Sequence, residues 1–147
     1  MGTALAAAQA AAEAGEAPVG AVLVDPETDA ILAATANAPI STCDPTAHAE
    51  ILALRAGAEQ RGNYRLTGLE LFVTLEPCAM CAGAVSHARI GRLVYAASDP
   101  KGGAVEHGPR VFEQTTCHWR PQVVSGVRGA EAADLLRGFF RAKRGKA

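Results

Sequence analysis

Two short motifs limit this chain more than any other feature: His48-Ala49-Glu50 and Pro77-Cys78-Ala79-Met80-Cys81. They offer one imidazole and two thiols, the ligand types zinc prefers, together with one carboxylate. A closed structural zinc site takes four protein ligands, whereas a catalytic one takes three and keeps a position for solvent. The fold therefore has to bring residues 48–50 and 78–81 to one point. Glu50 is too close to His48 to be an easy second ligand, yet near enough to handle a proton beside the metal. General acid–base help of that kind contributes about 10²–10⁴ in rate. A hydrolytic metal site, with zinc on His48, Cys78 and Cys81 and Glu50 as proton carrier, is the expectation.

The chain has 147 residues, which suits one domain, 1–147, with a sizeable core. Hydrophobic residues make up 49% but aromatics only 5%, so aliphatic side chains and alanine must fill that core. No apolar run reaches the length of a membrane span. The segment Thr3 to Ala14 is alanine-rich, is interrupted by Gln9 and Glu13, and lacks a basic start. It reads as an amphipathic first helix, not as a signal peptide. Four cysteines in such a chain point to metal or redox chemistry in a reducing compartment, so a cytoplasmic protein with no membrane partner is expected.

The net charge of −1 hides an asymmetry. Residues 1–60 hold eight acids and one base, Arg55, while residues 61–147 hold seven acids and thirteen bases. The tail carries Arg137, Arg141, Lys143, Arg144 and Lys146. A polyanionic partner for the C-terminal half fits that distribution. So does a solvated helix end, because bases favour the negative pole of a helix dipole.

Apolar runs bounded by turn residues predict strands at Val19–Val24, Ala30–Thr35, Leu69–Leu75, Arg92–Ala97 and Gln122–Ser125. The first two are close enough for an antiparallel hairpin. Asn37–Pro45 reads as loop. A helix is expected from about Thr46, with Ile51, Leu52, Leu54 and Ala58 on its apolar side and Gly62-Asn63 at its end. Pro77 is expected to open the next helix, which runs to about His87 and carries both thiols of the C-x-x-C on one face of its first turn. Asp99–Gly108 is glycine-rich loop. Ala130–Lys143 is a closing helix with Ala133, Leu136 and Phe140 as its stripe. Strands alternating with helices give an α/β layered domain, with antiparallel pairing first and parallel pairing later, hence a mixed sheet.

Other readings remain at this stage. The C-x-x-C could be a redox dithiol. A structural zinc would need a fourth ligand, for which Cys43, Cys117, His107 and His118 are available by residue type. Cys43 and Cys117 read more simply as packing residues. Glu76, at a strand end before a proline, reads as a structural hydrogen-bond acceptor.

The pattern H-x-E…P-C-x-x-C is the signature of the zinc nucleobase deaminases, the cytidine deaminase-like superfamily. Longer phrases resemble one family within it, the bacterial tRNA-specific adenosine deaminases. They are Gly15 to Val24, Asp44 to Ile51, Asn63 to Leu66, Val73 to Gly83, Ala88 to Ile90, Asp99 to Ala104 and Phe139 to Arg141. The segment Val105 to Arg120 departs from the enterobacterial pattern and is similar to a bacterial variant carrying a Cys-His pair.

The resemblance implies a three-layer α/β/α domain, with helices on both faces of a mixed five-stranded sheet. It implies one Zn2+ per chain on His48, Cys78 and Cys81, with Glu50 shuttling protons. The reaction implied is hydrolysis of adenosine to inosine at the wobble position of a tRNA anticodon. Asn37 would bind the flipped base, and Pro18 and Ala49 would help line its pocket. Asp99 and Lys101 would lie near the RNA backbone. Phe139, Phe140 and Arg141 would face the anticodon stem-loop, and the enzyme would be a homodimer. Anticodon-loop bases are already unpaired, so splaying one into a buried site is cheap. Two alternatives are a deaminase of a free base or nucleoside, of guanine or cytosine type, and a non-catalytic, zinc-stabilised RNA-binding module.

Overall fold

The computed structural model describes residues 1–145, so Lys146 of the basic tail lies outside the described residues. The elements run α1 (Gly2–Glu13), β1 (Gly20–Asp25), β2 (Ala30–Ala36), a single-turn α2 (Pro39–Thr42), α3 (Ala49–Arg61), β3 (Glu70–Leu75), α4 (Ala79–Ala88), β4 (Arg92–Ala97), β5 (Gln122–Val124) and α5 (Gly129–Gly145). A 3-10 turn, Val111–Glu113, precedes β5.

The five strands form one sheet in the order β2-β1-β3-β4-β5. β1 is antiparallel to both neighbours, β2 and β3. β3, β4 and β5 run parallel. The expected mixed sheet is therefore present.

Helices cover both faces, and β1 shows how. α1 approaches so closely that a Cβ on Gly20 would lie 2.0 Å from the Ala4 carbonyl oxygen. Only the absent side chain permits that approach. Alanines at positions 4, 8 and 11 are the buried residues of α1, and their small side chains let the helix sit down on the sheet. On the other face, Leu23 of β1 packs into the space left by Gly57 of α3. Gly20 and Leu23 have opposite parity along the strand, so they point to opposite faces. α5 joins α1 on the first face and α4 joins α3 on the second. Leu23, Leu66, Leu71, Val73, Val85, Ile90, Leu93 and Tyr95 are fully buried in the main core. Aliphatic residues and alanine dominate it, as the scarcity of aromatics requires.

Four local expectations are corrected. α4 begins at Ala79, not Pro77, because Cys78 is extended (φ −72, ψ 176) and serves as N-cap. The Pro77 carbonyl accepts instead from the Ala104 N–H at 2.9 Å. α3 likewise begins at Ala49, with His48 as its extended N-cap, because the Asp44 carboxylate holds the Thr46 N–H and hydroxyl in a turn. The Asn37–Pro45 loop contains the turn of α2. The buried Glu16 carboxylate accepts from its Ile40 and Ser41 N–H groups at 3.4 and 2.8 Å. The buried side of α3 is Ala49, Glu50, Ala53, Leu54 and Gly57, which leaves Ile51, Leu52 and Ala58 only half-buried.

Candidate metal centre

His48 and Cys78 each sit at a helix N-cap, and Cys81 lies one turn into α4. Two helix N-termini thus converge, and their positive dipole ends favour thiolate over thiol. The His48 Nδ1 is 3.6 Å from Cys78 Sγ and 3.4 Å from Cys81 Sγ. All three ligand atoms lie within 4.8 Å of one another. Tetrahedral zinc, with bonds of about 2.0 Å to nitrogen and about 2.3 Å to sulfur, would separate N and S by about 3.6 Å. Both N···S spacings fit zinc.

Among the described residues this is the one cluster of at least three such ligands. Cys43 is exposed, with φ 51, at the C-terminal end of α2. It is neither a fourth ligand nor the packing residue its type suggested. Cys117 is half-buried against Ser86 and the Trp119 carbonyl, His107 is bonded to Glu76, and His118 is exposed. The site keeps three protein ligands, as a catalytic centre does.

The electrostatics match that use. A hydrogen bond from the Cys81 thiol, aided by the Cys81 N–H and by His48, outweighs burial and holds Cys78 down to about 5. The same bond, burial and the nearby Glu50 push the Cys81 thiol up. One sulfur is thereby already poised as the thiolate that a metal needs. Glu50 is 4% exposed. Burial raises its carboxyl above the usual value, and its own backbone N–H and the Cys81 thiol offset this only in part.

His48, Cys78 and Glu50 open onto a cavity of about 290 Å³. Val19 and Leu75 supply apolar wall, and Leu136 and Phe140 of α5 supply more of it. Asn37 lines the cavity, with its Oδ1 accepting from the Ala49 N–H at 2.8 Å. Asp99 also lines it, while its Oδ1 accepts from the Lys101 and Gly102 N–H groups. Pro18 and Ala49 are fully buried beside the lining residues Ala17, His48 and Glu50. Lys101 is exposed on the loop. Phe139 meets Phe140 edge-on at 5.2 Å and lies beneath Lys143, and Arg141 is exposed beside them.

Sequence reasoning missed the apolar walls from Ala17, Val19, Leu75 and Leu136. It assigned Glu76 only a structural hydrogen bond. Glu76 lines the cavity and is 2% exposed. The expected hydrogen bonding is present, to the Asp99, Val105, Glu106 and His107 N–H groups.

Residues 1–97 match the cytidine and deoxycytidylate deaminase zinc-binding region. The chain is 52% identical over 144 residues to a tRNA-specific adenosine deaminase of Agrobacterium fabrum, covering 98% of this chain and 93% of that one. A solved structure from work on A-to-I editing by tRNA:A34 deaminases at the wobble position superposes with a TM-score of 0.90 at 51% identity, over 92% of this chain and 97% of that one. A guanine deaminase from Nitrosomonas europaea also superposes, with a TM-score of 0.81 at 25% identity, over 94% of this chain and 81% of that one.

Proposed function

The chain belongs to the zinc-dependent cytidine and deoxycytidylate deaminase family and, within it, to the tRNA-specific adenosine deaminases, and from that premise we propose that it hydrolyses adenosine to inosine at the wobble position of a tRNA anticodon. The observation that carries this reading is a three-ligand metal cluster and a buried carboxylate beside a cavity that Phe140 of α5 also lines, on a helix whose last turn is basic.

His48, Cys78 and Cys81 hold one zinc per chain. When bound, zinc supplies Lewis acidity that brings the pKa of a water toward neutrality. The overall reaction adds water at C6 of adenine and releases ammonia, with the ring left as a carbonyl. Glu50 moves the protons: it takes one at its carboxylate as water adds and returns it to the departing amine. Its raised affinity for a proton suits both halves of that task. Asn37 orients the base. Its amide oxygen is already committed to Ala49, so its –NH2 is left for the substrate. Burial of Pro18 and Ala49 shapes the cavity from behind. Leu136 and Phe140 exclude water from the apolar side.

The RNA lies across the C-terminal half. Phe139, Phe140 and Arg141 face the anticodon loop, and Asp99 and Lys101 meet the backbone near the cavity. Arg137 is paired with Asp134, whereas Arg141 and Arg144 have no ion-pair partner among the described residues. They are available to phosphates. The chain acts as a single domain and a cytoplasmic enzyme, and no described helix is long and apolar enough to cross a membrane. An apolar groove lined by Ile51, Leu54 and Ala58 of α3 and by Ala84 and Ala88 of α4 serves as the homodimer contact.

The alternative substrate is a free purine such as guanine, which the structural likeness to a guanine deaminase raises. A free base gives the exposed cations no partner. The test offers an anticodon stem-loop with wobble adenosine and, separately, free guanine. Inosine in the RNA is the expected product. Turnover of guanine alone would overturn the RNA reading.

A further inference from the structure

One carboxylate is more heavily engaged than any other described side chain, and the chemistry above does not use it. Glu76 Oε1 accepts from the Asp99 N–H at 3.0 Å and lies 2.7 Å from His107 Nδ1. Its Oε2 accepts from the N–H groups of Val105, Glu106 and His107 at 3.2, 3.0 and 3.1 Å. These donors come from 23 to 31 residues downstream. The Glu76 side chain is fully buried.

The loop closes around it without slack. A Cβ on Gly103 would lie 2.5 Å from the Glu76 carboxylate and 2.5 Å from the Asp99 carbonyl oxygen. Gly103 donates to that same carbonyl at 2.8 Å, and Ala104 donates to Pro77 at 2.9 Å. At its other end the Glu76 backbone N–H donates to Ala97 of β4. Asp99 and Gly102, which the clamp holds, line the cavity with His48, Glu50 and Cys78.

We propose that Glu76 is a positioning residue that sets the substrate cavity, by pinning the 99–107 loop to the strand end that carries Cys78. A carboxylate is the one side chain that suits the task. It is acceptor-only and offers about four lone-pair sites on two oxygens. An amide of the same shape would keep one oxygen and turn an –NH2 on the remaining donors. Buried N–H groups would then go unpaired, and the loop would relax away from the cavity. What the cavity receives rests on the deaminase reading above; the clamp itself does not.

The experiment compares wild type with Glu76→Gln, which damages the clamp from the acceptor side, and Gly103→Ala, which wedges it while keeping the carboxylate. Three quantities are read: zinc per chain, amide hydrogen exchange at Asp99 and Val105 to His107, and KM and kcat on the anticodon stem-loop. Both variants should keep their zinc, and their loop amides should lose protection while strand amides keep theirs. Both should fall on the order of 10²-fold in kcat/KM, as misplaced binding groups do, with most of the fall in KM. Wild-type kinetics and exchange in both variants would overturn the proposal. Loss of zinc in step with activity would overturn it too, by making Glu76 a support of the metal ligands alone. Should Glu76→Gln fail to fold, Gly103→Ala decides by the same readouts. Failure of the deaminase reading shows separately, as wild type that makes no inosine, and the exchange comparison still decides the clamp.

Discussion

Glu50 and Glu76 line one cavity and are 4% and 2% exposed, yet their protons behave oppositely. Glu50 has little around it that favours charge, so burial raises its carboxyl above the usual range. Burial pulls Glu76 the same way, but hydrogen bonds from Asp99, His107, Glu106 and Val105 overrule it and hold the carboxyl below the usual value of 4.5. Burial alone does not set a carboxylate's protonation; the number of donors aimed at it does. One acid is left able to trade a proton, and the other is locked as an anion that organises backbone. A pair pushed apart in this way fits the roles proposed above, with Glu50 as proton carrier and Glu76 as clamp.

The largest expected effect breaks the pair on the chemical side. Glu50→Gln should lower kcat by at least about 10²–10⁴, the usual contribution of a positioned acid–base group. Zinc content should stay at one per chain, because Glu50 is not a ligand. Single-turnover inosine formation and metal analysis check both points together. Activity that survives the change would remove Glu50 as proton carrier.

A second, smaller effect separates the two acids by stability. Glu76→Gln leaves buried N–H donors without acceptors, at a cost of about 1–3 kcal/mol. Glu50→Gln removes a carboxylate that burial disfavours, so its stability should match or exceed that of wild type. Urea unfolding of the metal-free proteins measures the difference. Equal losses in the two variants would mean that both acids are structural and that their contrast is false.

The same pair shows what could be read from the sequence. The place of Glu50 beside the ligand cluster was legible because metal chemistry admits few residue types and fixes their spacing, so H-x-E and C-x-x-C announce themselves. The strands were legible from apolar runs such as Leu69–Leu75, and the sheet formed as that pattern implied. Glu76 as an organising centre was not legible, because its donors are backbone groups 23 to 31 residues away. Main-chain N–H groups carry no sequence signature. The turn of α2 was missed for the same reason: its capping carboxylate, Glu16, lies 24 residues upstream of Ile40. Cys78 shifted from helix to N-cap because a tertiary bond took the Pro77 carbonyl. Local propensity places an element, and long-range hydrogen bonds decide where it starts.

Tyr95 extends the comparison to a third buried proton, held in the opposite sense to Glu76. It lies in β4, fully buried, and its hydroxyl donates to Glu106, the residue whose N–H donates to Glu76. Burial, the bond to Glu106 and the neighbouring acids push the phenol well above its ordinary value of 10.0. The neutral phenol is therefore the form that the fold requires. Its contribution is whole below the ordinary value and is lost as pH rises from there toward the folded value, because only the unfolded chain releases the proton in that window. Wild type should thus lose stability above about pH 10 by up to about 1.4 kcal/mol per pH unit more than Tyr95→Phe, which has no proton to lose. Urea midpoints of the two proteins, compared at about pH 9 and about pH 10.5, measure that difference in slope. Parallel curves would show that the Tyr95 phenol ionises as freely in the fold as in water, and that Glu106 is not held by it.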